Sequence, residues 1–125
     1  MANDYDITAR KLMVDALGAL AVRVALHTGD PGGANSATGE VTGGSPAYGR
    51  GTIAWNAADA GTGIATASSN VVINVPTGTT VSWVSLWNSA GTVRYLKKDV
   101  TDEVFGAQGT YTVVAASTTL DLNDA

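Results

Sequence analysis

The sequence predicts a mainly β fold: an antiparallel, jelly-roll-like β-sandwich of about eight strands with one N-terminal helix. Three observations carry that expectation. Short runs of β-branched and aromatic residues recur at close spacing between turn residues, and 15 of the 125 residues are glycine. Only one stretch, near the N-terminus, repeats its apolar residues at helical spacing. No second helix stands between the strand runs, so the crossovers of a parallel sheet have no sequence to form them.

The helix is expected over residues 6–18, where Ala9, Leu12, Met13, Ala16 and Leu17 make one apolar stripe. Asp6 can cap it and Gly18 can end it, with Arg10, Lys11 and Asp15 facing water or a partner. From Leu20 the period drops from 3.6 to 2, and LAVRVALHT reads as a strand that stops at Asp30-Pro31-Gly32. Residues 34–51 form a long, small-residue loop with a short strand at 40–42. Loops of that length are usually functional or lie on a neighbour. TIAWN at 52–56 and residues 64–67 follow as short strands.

The organising stretch is residues 71–91, VVINVPTGTTVSWVSLWNSAG. It reads as two strands of one sheet, broken at Pro76 and turned by residues 77–80, with a second turn at NSAG. Residues Val81, Trp83, Ser85 and Trp87 alternate with Ser82, Val84 and Leu86, so both faces of the second strand carry bulk. Such a strand belongs inside a sandwich, or has one face covered by a neighbouring subunit. TVRYLKK at 92–98 suits an edge strand because of its lysines, 100–105 reads as a short strand or crossing, and 110–115 and 118–122 complete the set. Residues 1–125 are taken as a single domain, with residues 1–18 as N-terminal segment and helix and 20–122 as sandwich.

Composition narrows the chemistry. The absence of cysteine excludes a disulfide framework and thiolate metal ligation. A net charge of −4 with scattered lysines and arginines argues against a nucleic-acid partner. Asp15 and Arg23 interrupt the apolar run 12–26, so no signal core or membrane span is expected there. His27 is the single histidine and so the single candidate general base. Thr28 and Asp30 lie beside it in sequence, but neighbours on a strand point to opposite faces, and a structural histidine is the expectation. The carboxylates of Asp30, Glu40, Asp59, Asp99, Asp102 and Glu103 have neither EF-hand nor paired-carboxylate spacing. Gly49-Arg50-Gly51 does not precede a helix, as a phosphate loop must. No enzyme activity, cofactor or metal is expected.

Two blocks resemble a family of small tailed-phage virion proteins, described as capsid decoration or tail-fibre-like proteins. The first carries Leu26, His27, Thr28, Asp30, Pro31 and Gly32, then Asn35, Glu40, Tyr48 and Arg50; the second carries Val75, Pro76, Gly78, Thr79, Thr80, Val81, Leu86 and Trp87. Together they cover about half of the chain, in its middle. The resemblance implies a self-associating β-sandwich in the virion; the lack of a coiled coil or fibrous repeat favours the outer capsid surface over the tail, and the three-fold positions of a shell favour a homotrimer over a dimer. The partner is then the major capsid protein, with no nucleic acid and no membrane involved. Leu12, Leu17, Tyr48, Arg50, Trp83 and Trp87 are the candidate interface residues, and residues 1–6 a candidate contact segment. The alternative is a receptor- or carbohydrate-binding module at the tail, which would use its tryptophans as an exposed stacking platform.

Overall fold

In the computed structural model, which describes residues 5–122, the segment from Val71 to Val113 is one long hairpin bent double. Its turn is fixed by Asn88, whose side-chain oxygen accepts from the N–H of Thr92 at 2.8 Å and of Val93 at 3.1 Å, with Gly91 at φ 74°. The inner arms are strands Thr79–Trp87 and Arg94–Phe105, and the outer arms are Val71–Val75 and Gly109–Val113. Pairing keeps its register through the bend, since Thr79 faces Phe105 on one side and Val75 faces Gly109 on the other. Pro76 supplies no donor there, and Gly78 takes φ 78°. The two bent arms are tied together: the Gly78 N–H donates to the Phe105 carbonyl at 2.7 Å, and the Thr77 hydroxyl to the Gly106 carbonyl at 3.0 Å. The expectation that Val71–Val75 and Thr79–Trp87 share a sheet is therefore corrected. They are successive parts of one arm, and the bend sends them into different sheets.

In chain order the elements are helix α1 (Ile7–Leu20) and strands β1 (Arg23–His27), β2 (Gly51–Thr52), β3 (Ala65–Thr66), β4 (Val71–Val75), β5 (Thr79–Trp87), β6 (Arg94–Phe105), β7 (Gly109–Val113) and β8 (Thr119–Leu120). Among the described residues the chain is thus mainly β, with eight strands, all paired antiparallel, and one α-helix. One sheet has the order β2-β1-β5-β6; β3-β8 and β4-β7 are separate two-stranded sheets. The sheets do not close into a jelly roll, and an open groove of about 1170 Å³ remains beside β6 and β7, lined by Val84, Leu96, Tyr111 and Leu120 among others.

Three local expectations change in detail. Residues 100–105 are the second half of β6, a single strand of 12 residues at the sheet edge. The strand expected at 52–56 is reduced to β2 and an isolated bridge from Trp55 to Ala67. The strand expected at 40–42 is a single bridge from Glu40 to His27.

One core joins the sheets. Val24, Leu26, Val81 and Leu86 from the four-stranded sheet meet Val71, Ile73, Val75 and Val113 from β4-β7 and Leu120 from β8. Gly51 allows the closest approach. A Cβ there would run into Cγ1 of Val71 and stand 3.1 Å from Cγ1 of Ile73, so β2 can rest on β4 only with glycine at that position.

The helix enters the core by a face that shares Leu17 with the expected stripe but is centred on Val14. Val14 is fully buried and Leu17 packs against the core, but Leu12 is 67% exposed and Met13 and Ala16 also face outward. Arg10, Lys11 and Asp15, expected to face water or a partner, lie on the packed side. The Asp15 carboxylate accepts from the Ala58 N–H at 2.7 Å, and Lys11 donates to the Ala58 carbonyl and to Asp15, each at 2.9 Å. Two polar anchors thus turn the helix so that Val14, not Leu12, points inward. The side chain of Asp6 makes no capping bond, and Gly18 does not end the helix. Gly18 instead lets Trp55 come close, for a Cβ would stand 3.4 Å from the indole. This register is checked by chemical denaturation of two variants. Val14→Asp should cost more than about 3 kcal/mol, because it puts a charge into an apolar contact, and Leu12→Asp less than about 0.5 kcal/mol. The reverse order would mean the helix is rotated.

Candidate functional site

The candidate site lies on the outer face of the four-stranded sheet, away from the core. There β1 and β5 set His27 opposite Trp83 and Ala25 opposite Ser85, with Trp87 beyond. Ala25, His27, Ser85 and Trp87 are all buried, and what covers them is the loop between β1 and β2. The neighbouring subunit considered as a cover is replaced by the chain's own residues 28–50.

Glu40 is the hub of this cover. Its backbone bridges to His27, flanked by hydrogen bonds from the Val41 N–H to the Leu26 carbonyl and from the Thr28 N–H to the Gly39 carbonyl, each 3.0 Å. Its carboxylate accepts two bonds from Arg50, one to each oxygen, both 2.9 Å, and a third from the Tyr48 hydroxyl at 2.8 Å. Tyr48 in turn accepts from the Leu26 N–H at 3.1 Å, so the gap in the β1 edge between the Glu40 bridge and β2 is closed by a phenol. The Arg50 guanidinium stacks over the Trp87 ring at 4.1 Å from its centroid. Burial raises the Glu40 pKa, but the Arg50 and Tyr48 hydrogen bonds and the Arg50 charge outweigh it, and the carboxyl is held below its ordinary range. Burial pushes the Tyr48 pKa far up, and its bond to Glu40 adds to the shift, so the phenol stays protonated.

Beneath this pair runs a chain of hydrogen bonds with one consistent direction. His27 Nδ1 lies 3.2 Å from the Thr38 carbonyl, which can only accept, so Nδ1 carries the proton. Nε2 then accepts from the Ser85 hydroxyl at 2.7 Å, and the same hydroxyl accepts from the Trp87 indole N–H at 2.7 Å. Burial depresses the His27 pKa. The Thr38 carbonyl and Glu40 oppose that shift, whereas Arg50 and Arg94 reinforce it. The neutral tautomer is therefore the bonded one. Thr28 and Asp30, its neighbours in sequence, take no part.

The rest of the loop is tied to β6 and to the second bend. Arg94 donates to the carbonyls of Gly32 and Gly33 at 2.8 Å and of Ser36, while its own N–H donates to the Asn35 side chain at 2.9 Å. Asn35 takes φ 59°, which its short amide tolerates. Lys97 bonds Asp30 at 2.6 Å and stands over the Trp83 ring at 5.5 Å. At the far end Gln108 accepts from the Ser45 N–H at 3.2 Å and donates to the Pro46 carbonyl at 3.1 Å.

Of the six residues expected at an interface, Tyr48, Arg50 and Trp87 meet each other inside the chain; Trp87 is 2% exposed, so it is not presented to a partner. Trp83 is half-buried under Lys97, Leu17 packs on the core, and Leu12 is alone in being largely exposed. Sequence reasoning missed Ser85, Thr38 and Arg94. Ser85 had a signal: a small polar residue in phase between two tryptophans needs a buried partner. Comparison with known protein families, with curated proteins and with solved structures found no match to this chain.

Two measurements check the cover. Arg50→Ala leaves the Glu40 carboxylate half-buried without its cation and should cost about 2–4 kcal/mol in denaturation; Arg50→Lys should recover less than half, because an ammonium can neither fork onto the carboxylate nor stack on the indole in the same way. The pH dependence has a definite sign. The His27 pKa is lowered from 6.5, so below that pH the unfolded chain binds a proton that the folded chain refuses, and stability is lost as pH falls. Glu40, lowered from 4.5, adds a further loss below that value. Melting temperature should thus decline in two stages on acidification, and His27→Gln should flatten the first stage; a wild-type curve flat from about pH 8 to about pH 5 would contradict the neutral burial of His27.

Proposed function

We propose that this chain is a structural protein of a tailed-phage virion, a capsid decoration protein bound to the outer face of the major capsid shell. One observation carries the reading. The residues on which the family resemblance rests lie far apart in sequence, and His27, Glu40, Tyr48, Arg50 and Trp87 gather into one bonded cluster. That cluster fastens a glycine-rich loop to a rigid sheet, so the loop offers a fixed surface of backbone and small side chains. A protein that must fit many equivalent sites on a shell needs such a preformed surface, because ordering a free loop at each site would cost affinity. The major capsid protein is the partner in this reading, and the capsid surface the location.

The homotrimer expected at three-fold positions cannot be built on Trp87, which is buried under the chain's own Arg50. Residues 1–4 of the expected contact segment lie outside the described residues. The tail alternative has one observation in its favour: Trp55 and Trp83 are half-buried, not fully buried. A stacking platform there would respond to added sugar by a change in tryptophan emission.

The test is to locate the protein in intact particles with a gold-labelled antibody. Decoration predicts label spread evenly over the head. Label confined to the tail overturns the proposal in favour of the receptor-binding alternative.

A further inference from the structure

We propose that the free edge of β6 joins a second copy of this chain, antiparallel, about a two-fold axis near the middle of the strand. The proposal is independent of the virion reading. β6 is the longest strand, pairs with β5 on one side, and is the last strand of its sheet, so beyond Arg94, whose N–H is held by Asn35, its other edge presents unpaired backbone groups. Its charges are ordered along its length. Arg94, Lys97 and Lys98 occupy the first half; Asp99, Asp102 and Glu103 follow.

That order decides the partner. A parallel neighbour of the same sequence would set lysine beside lysine and acid beside acid. An antiparallel copy lays each basic half along an acidic half, and the match occurs twice because the contact is isologous. Lysines and irregular pairing guard an edge against indiscriminate partners, and β6 has both, with its register against β5 shifting between Val81 and Trp83. The arrangement that opposes Lys98 to Glu103 of the copy has its axis between Val100 and Thr101 and leaves Asp99 beside Asp102 as its like-charged pair. Two short ladders then flank the axis, with the irregular residues between them.

The side chains needed are at hand. Arg94 and Lys97 are committed to the loop, but Lys98, Asp102 and Glu103 make no hydrogen bond or ion pair among the described residues. Lys98 pairs with Val84 and Glu103 with Val81, and both valines pack with the core, so the two charges project from the core-facing side of the strand, Lys98 at the lip of the open groove. Val104, 75% exposed, lies beside Glu103 and gains cover from the neighbouring strand. An edge of this kind closes on two copies, so it gives a dimer, not the trimer suggested by three-fold shell positions.

The experiment is sedimentation velocity on the full chain over a concentration series at low salt. The wild type should reach a dimer by about 100 µM, and Lys98→Glu should weaken association at least about tenfold. The double variant Lys98→Glu with Glu103→Lys restores opposed charges and should bring the dissociation constant back to within about threefold of wild type. Both side chains involved are exposed, so melting temperatures serve as the control for folding and should stay unchanged. A wild-type chain that remains monomeric or forms a trimer, a Lys98→Glu variant that associates like wild type, or a double variant that fails to recover would each overturn the proposal.

Discussion

A central strand that is bulky on both faces has to be covered twice. The inner face of β5 meets the shared core, which needs only apolar side chains of suitable size. Its outer face meets a loop made largely of glycine, alanine, serine and threonine, which has almost nothing apolar to offer. Burying an indole such as that of Trp87 contributes several kcal/mol by area alone, more than one ion pair supplies net. The bonds centred on Glu40 therefore act chiefly by geometry. They hold the loop where it excludes water from Trp87, and they leave Glu40, Tyr48 and Arg50 each with a partner. If the carboxylate is removed, the guanidinium, the phenol and the covered indole lose their common fixed point together.

What could be read in the sequence was whatever is decided locally. The turn at Asn88 is written in one side chain and one glycine, and the edge position of β6 in its lysines. Antiparallel pairing followed from the lack of crossover helices. The helix face was misread because its apolar stripe is weak, and the decision rests on Ala58, more than 40 residues away, which captures Lys11 and Asp15. Likewise Pro76 was correctly seen as a break, yet whether a break turns a strand back beside itself or bends it into another sheet depends on the opposite arm. Only the matching bend before Gly109 makes it the latter.

The candidate site shows the same division. Tyr48, Arg50 and Trp87 stood out as anchor types, and anchors they are, but the surface they join is internal. Residue type reveals that a strong contact exists and says little about which side of the chain boundary it falls on. Ser85, Thr38 and Arg94 act through a hydroxyl, a carbonyl and a fork of donors aimed at backbone, and such roles leave almost no trace in composition. The short motifs LHTGDPG and YGR are in this light the two ends of one fastening, with Asp30 and Arg50 each held by a residue on another segment.

The doubled hairpin carries a further consequence, for the order in which the chain can assemble. Beginning at Asn88, each new pair of β5 with β6, and then of β4 with β7, closes a loop only slightly longer than the one before. The entropy of closure therefore rises by small steps and not in one large cost. Zipping can run through the bend without a change of partner, because the register is the same on both sides. β1 has no such path. It must add to the outer edge of β5 from nearly 60 residues away, and the loop that seals it can be fastened only after it arrives. The half of the molecule holding His27 and Glu40 is thus the half most dependent on contacts distant in sequence, and it is the later to gain from cooperativity and the earlier to lose it.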